Sequence, residues 1–276
     1  IGIAPLRAEQ LTVDADENNV NPRRWSFRWE LLISGQNSNT RTMKKMVLIA
    51  AMAVLLASCG SKEQPLNTLS KQEVADGWKL LFNGTDMSGW KLYNGGEPTG
   101  WKVEDGIMKN SGVGSDFGGD IITVDQYRNF ELYLEWQVAS KSNSGVFFHV
   151  QEGVAQAIYQ TGPEYQLIDD KGWPDPLDAD QYSGANYGMH APVGAEVKPI
   201  DQWNETRLIV NGTHVEHWLN GTMVLEYELW SDDWNARKTA GKWAEVPTYG
   251  IAEIGHIGLQ DHGGLTLFRN IKIREL

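Results

Sequence analysis

A two-residue apolar period, cut short repeatedly by turn dipeptides, constrains this chain more than any other feature. Phe130 to Val138 shows it most cleanly. Leu132, Leu134, Trp136 and Val138 fall on one face, while Glu131, Tyr133, Glu135 and Gln137 fall on the other. Shorter runs at Trp101–Glu104 and Ile107–Lys109 are joined by Asp105-Gly106. Three more, at Trp203–Val210, His214–Leu219 and Met223–Leu229, are joined by Asn211-Gly212 and Asn220-Gly221. Such dipeptides supply the positive φ that tight hairpins need. The last segment, Gly255 to Leu276, continues the period through Ile257, Leu259, Leu265, Leu267, Ile271 and Ile273, and reads as two half-buried strands. No window sustains a 3.6-residue period, so helices are expected to be short and peripheral. About a dozen such strands predict an all-β sandwich or jelly roll of two antiparallel sheets. Gly172–Ile200 and the Trp-rich Ser231–Gly250 are too long for plain turns and are expected as ordered loops bordering a cleft.

The first quarter of the chain reads differently. Met43 to Cys59 combines two lysines, a short apolar run and Leu56-Ala57-Ser58-Cys59, the pattern of a bacterial lipoprotein signal with a lipobox. The 276-residue chain has a single cysteine, and it stands at that cleavage point. Cys59 is therefore the expected lipidation site, tying the protein to the cell envelope by acyl chains. Residues 1–42 read as an upstream overextension, 60–75 as a polar tether, and 76–276 as one domain. Removing the signal leaves no cysteine for disulfides or thiolate metal sites. With 24 Lys/Arg against 36 Asp/Glu the chain carries a net charge of −12, which argues against nucleic acid as a partner. Twelve tryptophans, all but Trp25 and Trp29 beyond residue 60, suit stacking on sugar rings as well as core packing.

Polar groups stand where a purely structural sheet does not need them. In Gly162–Asp170, Glu164 and Gln166 share one strand face, a carboxylate beside an amide, and Tyr165 and Leu167 share the other. Phe147 and His149 share a face in Ser144–His149. Gln260, Asp261, His262 and Arg269 cluster about the last strand junction. Arg269, in register with apolar neighbours, needs a carboxylate or a local bulge, with Asp261 and Glu164 as candidate partners. His217 lies in register with Val215 and Leu219 and is expected as a hydrogen-bonded core residue. No Gly-rich phosphate loop, G-x-S-x-G elbow or H-E-x-x-H is present, and no spacing demands a metal or another cofactor.

Taken in order, WKLLFNGTDMSGW (78–90), GWKVEDGIM (100–108), SGVFFHV (144–150), PEYQLIDD (163–170), SGANYGM (183–189), WNETRLIVNGTHVEHWLNG (203–221) and the terminal GHIGLQDHGGLTLFRNIKIREL resemble the 3-keto-disaccharide hydrolase family. The resemblance covers nearly all of Trp78–Leu276. It implies a concanavalin A-like β-sandwich, export, and cleavage of a glycoside carrying a ketone at C3. That ketone acidifies the C2 proton, so a base removing it can expel the C1 substituent, and water then adds. Such a site needs a base, an acid and donors to the developing enolate. His149 and Glu164 are the expected base and acid, in either order, with His262 as a third catalytic candidate. Gln166, Asp169, Trp173, Tyr187, Gln260, Asp261 and Arg269 are the expected substrate contacts. Direct hydrolysis by Glu164 and Asp169 is disfavoured, because residues five apart in a strand face opposite sides. The rival reading is a lectin-like carbohydrate-binding lipoprotein using the same aromatics and amides without turnover.

Overall fold

In the computed structural model of the chain, residues 64–110 and 119–276 are described. The segments read above as an overextension and as a lipoprotein signal, with Cys59, lie outside them. Thirteen strands form in this region: β1 Lys79–Leu80, β2 Trp90–Leu92, β3 Trp101–Glu104, β4 Ile107–Asn110, β5 Ile121–Thr123, β6 Phe130–Val138, β7 Asn143–Val150, β8 Glu164–Ile168, β9 Asn204–Asn211, β10 His214–Leu219, β11 Thr222–Glu228, β12 His256–Leu259 and β13 Thr266–Glu275. Two short helices accompany them, α1 Lys71–Ala75 and α2 Asp232–Ala240. The strands pair antiparallel into two sheets. One has eight strands in the order β11-β10-β9-β6-β13-β4-β3, with β1 also on β13; the other has five, in the order β2-β5-β12-β7-β8.

The alternation explains how the sheets meet. From the large sheet, Leu132, Leu134, Trp136, Leu208, Phe268 and Ile273 point inward. Val146, Phe148, Tyr165, Leu167, Ile257 and Leu259 point inward from the small one, and all are buried in a single core. At roughly 25 cal/mol per Å² of apolar surface removed from water, burial on this scale is what holds the two layers together. The expected hairpins form at their turn dipeptides: Asp105 (φ 53°) and Gly106 (φ 76°) join β3 to β4, and Asn220 (φ 50°) and Gly221 (φ 82°) join β10 to β11.

The final segment forms its two strands, in an arrangement that the period alone does not set. β12 and β13 are not partners; they lie in opposite sheets, and the link between them crosses from one layer to the other. β13 also switches face midway. Thr266 and Phe268 point inward, Asn270 takes φ 52° in a bulge opposite β6, and Ile271 and Ile273 then point inward in their turn. The polar tether likewise gives way to ordered packing by Asn67. That residue is 6% exposed, and it exchanges amide hydrogen bonds with Asn270 at 2.6 and 2.8 Å. Ser70 and Glu73 cap α1 reciprocally, and Glu73 pairs with Lys272.

Candidate active site

The outer face of the five-stranded sheet carries a small polar cleft of about 160 Å³. Its floor follows from strand register. Gly145 of β7 pairs with Gln166 of β8, and the N–H of Gln260, just past β12, donates to the Gly145 carbonyl at 3.1 Å. Outward-facing Asn143, Glu164, Gln166 and Gln260 therefore meet on three adjacent chain segments. Gln166 is 1% exposed and Gln260 4%. Neither Gln166 Oε1, Gln260 Oε1 nor Asn143 Oδ1 has a hydrogen-bond partner among the described residues. Buried polar atoms are normally satisfied, because leaving one unpaired costs about 1–3 kcal/mol. Three amides in that condition around one cavity mark a place built for a polar ligand.

Glu164 lies flat across Gly145. A Cβ at that position would stand 2.9 Å from both Cγ and Cδ of Glu164, closer than side chains pack, so the glycine leaves the carboxylate its seat. The free edge of β8 is covered by residues 184–187. Gln166 exchanges backbone hydrogen bonds with Ala185 and Gly184 at 3.1 and 2.9 Å, and the Tyr187 N–H donates to the Glu164 carbonyl at 3.1 Å. This strap brings the Tyr187 ring to the cleft wall. Burial, followed by the charge of Glu164, pushes the Tyr187 phenol above its ordinary pKa and keeps it a neutral donor. His262 lines the opposite side, with the Trp173 ring edge-on at 6.1 Å.

Glu164, Gln166, Tyr187, Gln260 and His262 thus share one cleft with Trp173 beside it, and four of the expected residues lie elsewhere. His149 takes φ 52°, and the register against β12 slips next to it. The kink turns its ring into the sandwich, edge-on to Phe148 and Phe130 at 5.2 and 6.2 Å, where Nε2–H donates to the Arg128 carbonyl at 2.8 Å. Burial lowers its pKa, which suits a neutral core residue. Asp169 accepts from the Lys141 and Gly172 amides at 2.9 Å each and fixes a turn. Asp261 alternates inward between its two cleft neighbours, is fully buried, and accepts from Asn110 at 3.1 Å. Arg269 lies on the outer face of the other sheet, paired with Glu135 at 2.6 Å and stacked 4.0 Å over Trp203. The bulge expected for it falls at the next residue, Asn270. A larger groove of about 660 Å³ runs beside Asp169, but Val138, Ile168, Val197 and Pro199 line it and the Asp170 carboxylate is engaged by the Ser183 amide. It lacks the unpaired polar atoms of the smaller cleft.

Residues 77–274 match the 3-keto-alpha-glucoside-1,2-lyase-like domain family. The chain belongs to that family. A 3-keto-disaccharide hydrolase of Bacteroides thetaiotaomicron is 33% identical over 243 residues, 78% of this chain and 84% of that protein. Among solved structures, a candidate glycosyl hydrolase from Parabacteroides distasonis is 41% identical, covers 77% of this chain and all of its own, and superposes with a TM-score of 0.73. A second from that organism is 29% identical over 72% of this chain and 99% of its own, with a TM-score of 0.56. The protein is accordingly a glycoside-cleaving enzyme.

Three cleft residues of this lyase-like domain escape sequence reasoning: Asn143, Tyr159 and Lys242. Asn143 stands two residues before Gly145 on the same strand face, a signal present in the sequence. Lys242 belongs to the Trp-rich segment expected at a cleft border, but nothing in its local pattern sets it apart. Tyr159 lies in a single 3₁₀ turn that carries no periodicity.

Proposed function

We propose that this domain expels the C1 substituent of 3-keto-glycosides by elimination, followed by addition of water, and that it does so as an envelope protein lipid-anchored through Cys59. The observation carrying the reading is the set of amide oxygens on Asn143, Gln166 and Gln260 that lack a hydrogen-bond partner among the described residues, around a single carboxylate, Glu164. Amide oxygens accept hydrogen bonds, and a pyranose ring offers hydroxyl donors to them. The cleft has room for roughly five waters at about 30 Å³ each, closer to one ring than to an oligosaccharide. Hydrolysis by a carboxylate pair needs a second carboxylate across the bond. Among the described residues lining the cleft Glu164 is the one carboxylate, and His262 lines it too.

Glu164 takes the C2 proton, and the C2–H electron pair moves toward C3 and places negative charge on the C3 oxygen. That charge collapses back to a C3 ketone and a C1–C2 double bond as the C1–O bond breaks, and protonated His262 supplies a proton to the departing oxygen. Water then adds: His262 takes its proton as the hydroxyl joins C1, and Glu164 returns a proton to C2. Both residues regain their starting states. The test incubates the protein with 3-keto-glucosides and the parent glucosides in D₂O. Aglycone release from the keto sugars alone, with deuterium at C2 of the released sugar, is expected. Cleavage of the parent glucosides without C2 labelling would overturn the reaction, and binding without release would leave a lectin. For the anchor, metabolic labelling with a palmitate analogue should mark the full chain and be lost in Cys59→Ser.

A further inference from the structure

Lys242 enters the cleft from outside the sheet, in the turn that follows α2, and faces the floor that holds Glu164. Its surroundings fix it. The ammonium sits 4.1 Å from the centre of the Tyr187 ring and 4.9 Å from that of Trp243. Trp243 is itself immobile: it is 1% exposed, its indole N–H donates to the Tyr187 carbonyl at 3.1 Å, and it stacks on Tyr249 at 4.2 Å with 5° between the planes. The stack continues through Trp234, Tyr227 and His190, a buried column running back from the cleft. A lysine normally retains great rotamer freedom. Here two ring faces restrict it, and cation–π attraction helps hold the charge in place.

We infer that Lys242 is a catalytic residue of the proposed elimination, donating to the C3 oxygen as negative charge gathers there. The inference rests on the elimination reading. Removing a C2 proton is limited by the energy of the enolate, and a fixed cation at its oxygen lowers that energy more than it lowers the energy of the neutral ketone. The other cleft groups are otherwise engaged: Glu164 moves the proton, His262 serves the leaving oxygen, and the amides are neutral. Among the described residues lining the cleft Lys242 is the one lysine, and there is no arginine. Lys242 remains protonated throughout, so the atom balance of the reaction is unchanged.

The decisive variant is Lys242→Met, which keeps the apolar stem against Tyr187 and Trp243. We expect kcat for a 3-keto-glucoside to fall about 10²-fold, as on removing an oxyanion donor, with KM within about threefold and C2 deuterium exchange falling in step with release. Unchanged kcat with a raised KM would make Lys242 a binding or loop-ordering residue and overturn the inference. So would normal C2 exchange with slow release, which would place it at the leaving group. Lys242→Cys in a Cys59→Ser chain provides a second route, because it leaves a single thiol. Aminoethylation restores an ammonium of lysine's length, and the lost kcat should return; no recovery would count against the charge. If the unaltered protein neither exchanges the C2 proton nor releases aglycone, the elimination reading fails, an outcome distinct from an active protein indifferent to Lys242.

Discussion

The two outer faces of the sandwich handle buried polar groups in opposite ways. On the eight-stranded sheet, Glu131 is 5% exposed but receives both Arg207 and Arg274. Arg207 also stacks 5.0 Å over Trp218, Lys272 lies 4.5 Å over Tyr133 while pairing with Glu73, and Arg269 joins Glu135 to Trp203. Each charge finds its complement on a neighbouring strand or on the segment laid across the sheet, and the face closes on itself. On the five-stranded sheet, Asn143, Gln166 and Gln260 converge without pairing to one another. Both faces are assembled from outward positions of alternating strands. The difference lies in whether side-chain length and register let neighbours meet, and where they do not, the polar groups remain available to a ligand.

Three substitutions, and then the behaviour of the interior histidines, probe that contrast. The largest effect is expected from Glu164→Gln, which should reduce turnover about 10³-fold and leave the thermal midpoint nearly unmoved; retained activity in a steady-state assay would remove Glu164 from the chemistry. Glu131→Ala should do the reverse. It strips two arginines of their shared acceptor and should cost about 2–3 kcal/mol in a denaturant melt, a buried-pair loss discounted because both arginines are about a third exposed, with kcat/KM of the folded protein preserved. Gln166→Leu comes third: KM should rise about tenfold for loss of one well-placed hydrogen bond, with stability equal or higher because a buried amide oxygen without a partner is gone. A fall in stability there would mean that the amide serves the fold.

The smallest effect is pH dependence of the interior. Burial lowers the pKa of His217 from 6.5 to about 3, and burial also lowers those of His149 and His190. The unfolded chain therefore binds more protons than the native one below pH 6.5, and stability should decline from there toward pH 3. Thermal melts of His217→Gln should show a shallower decline. His149→Ala should lower the midpoint with turnover intact, the signature of a core residue.

Much of this was legible in the sequence, and the misses have identifiable causes. Alternation placed Glu164 and Gln166 on one outward face, and the Asn-Gly and Asp-Gly turns placed the hairpins. His217 is the core residue its register implied, with Nδ1–H on the Gly184 carbonyl at 2.9 Å. His149 and Asn270 defeated the pattern in the same manner. Each is a non-glycine residue at φ 52°, and a single such residue reverses every inward and outward assignment that follows it. Both fall inside apolar runs with no glycine beside them, so the alternation there gives no sign of the turn that the same asparagine gives in an Asn-Gly hairpin. Lys242 was invisible for another reason: its place depends on the stacking of Trp243 on Tyr249, a contact that no local period encodes.

Gly145 carries a consequence for descent. Because the Glu164 carboxylate occupies the space a side chain at 145 would need, the two positions are not free to vary independently. A lineage that acquires even alanine at 145 has to move the carboxylate from its seat. Relatives that keep this chemistry should therefore keep the glycine, and its loss in a family member would mark a sandwich that has left catalysis behind.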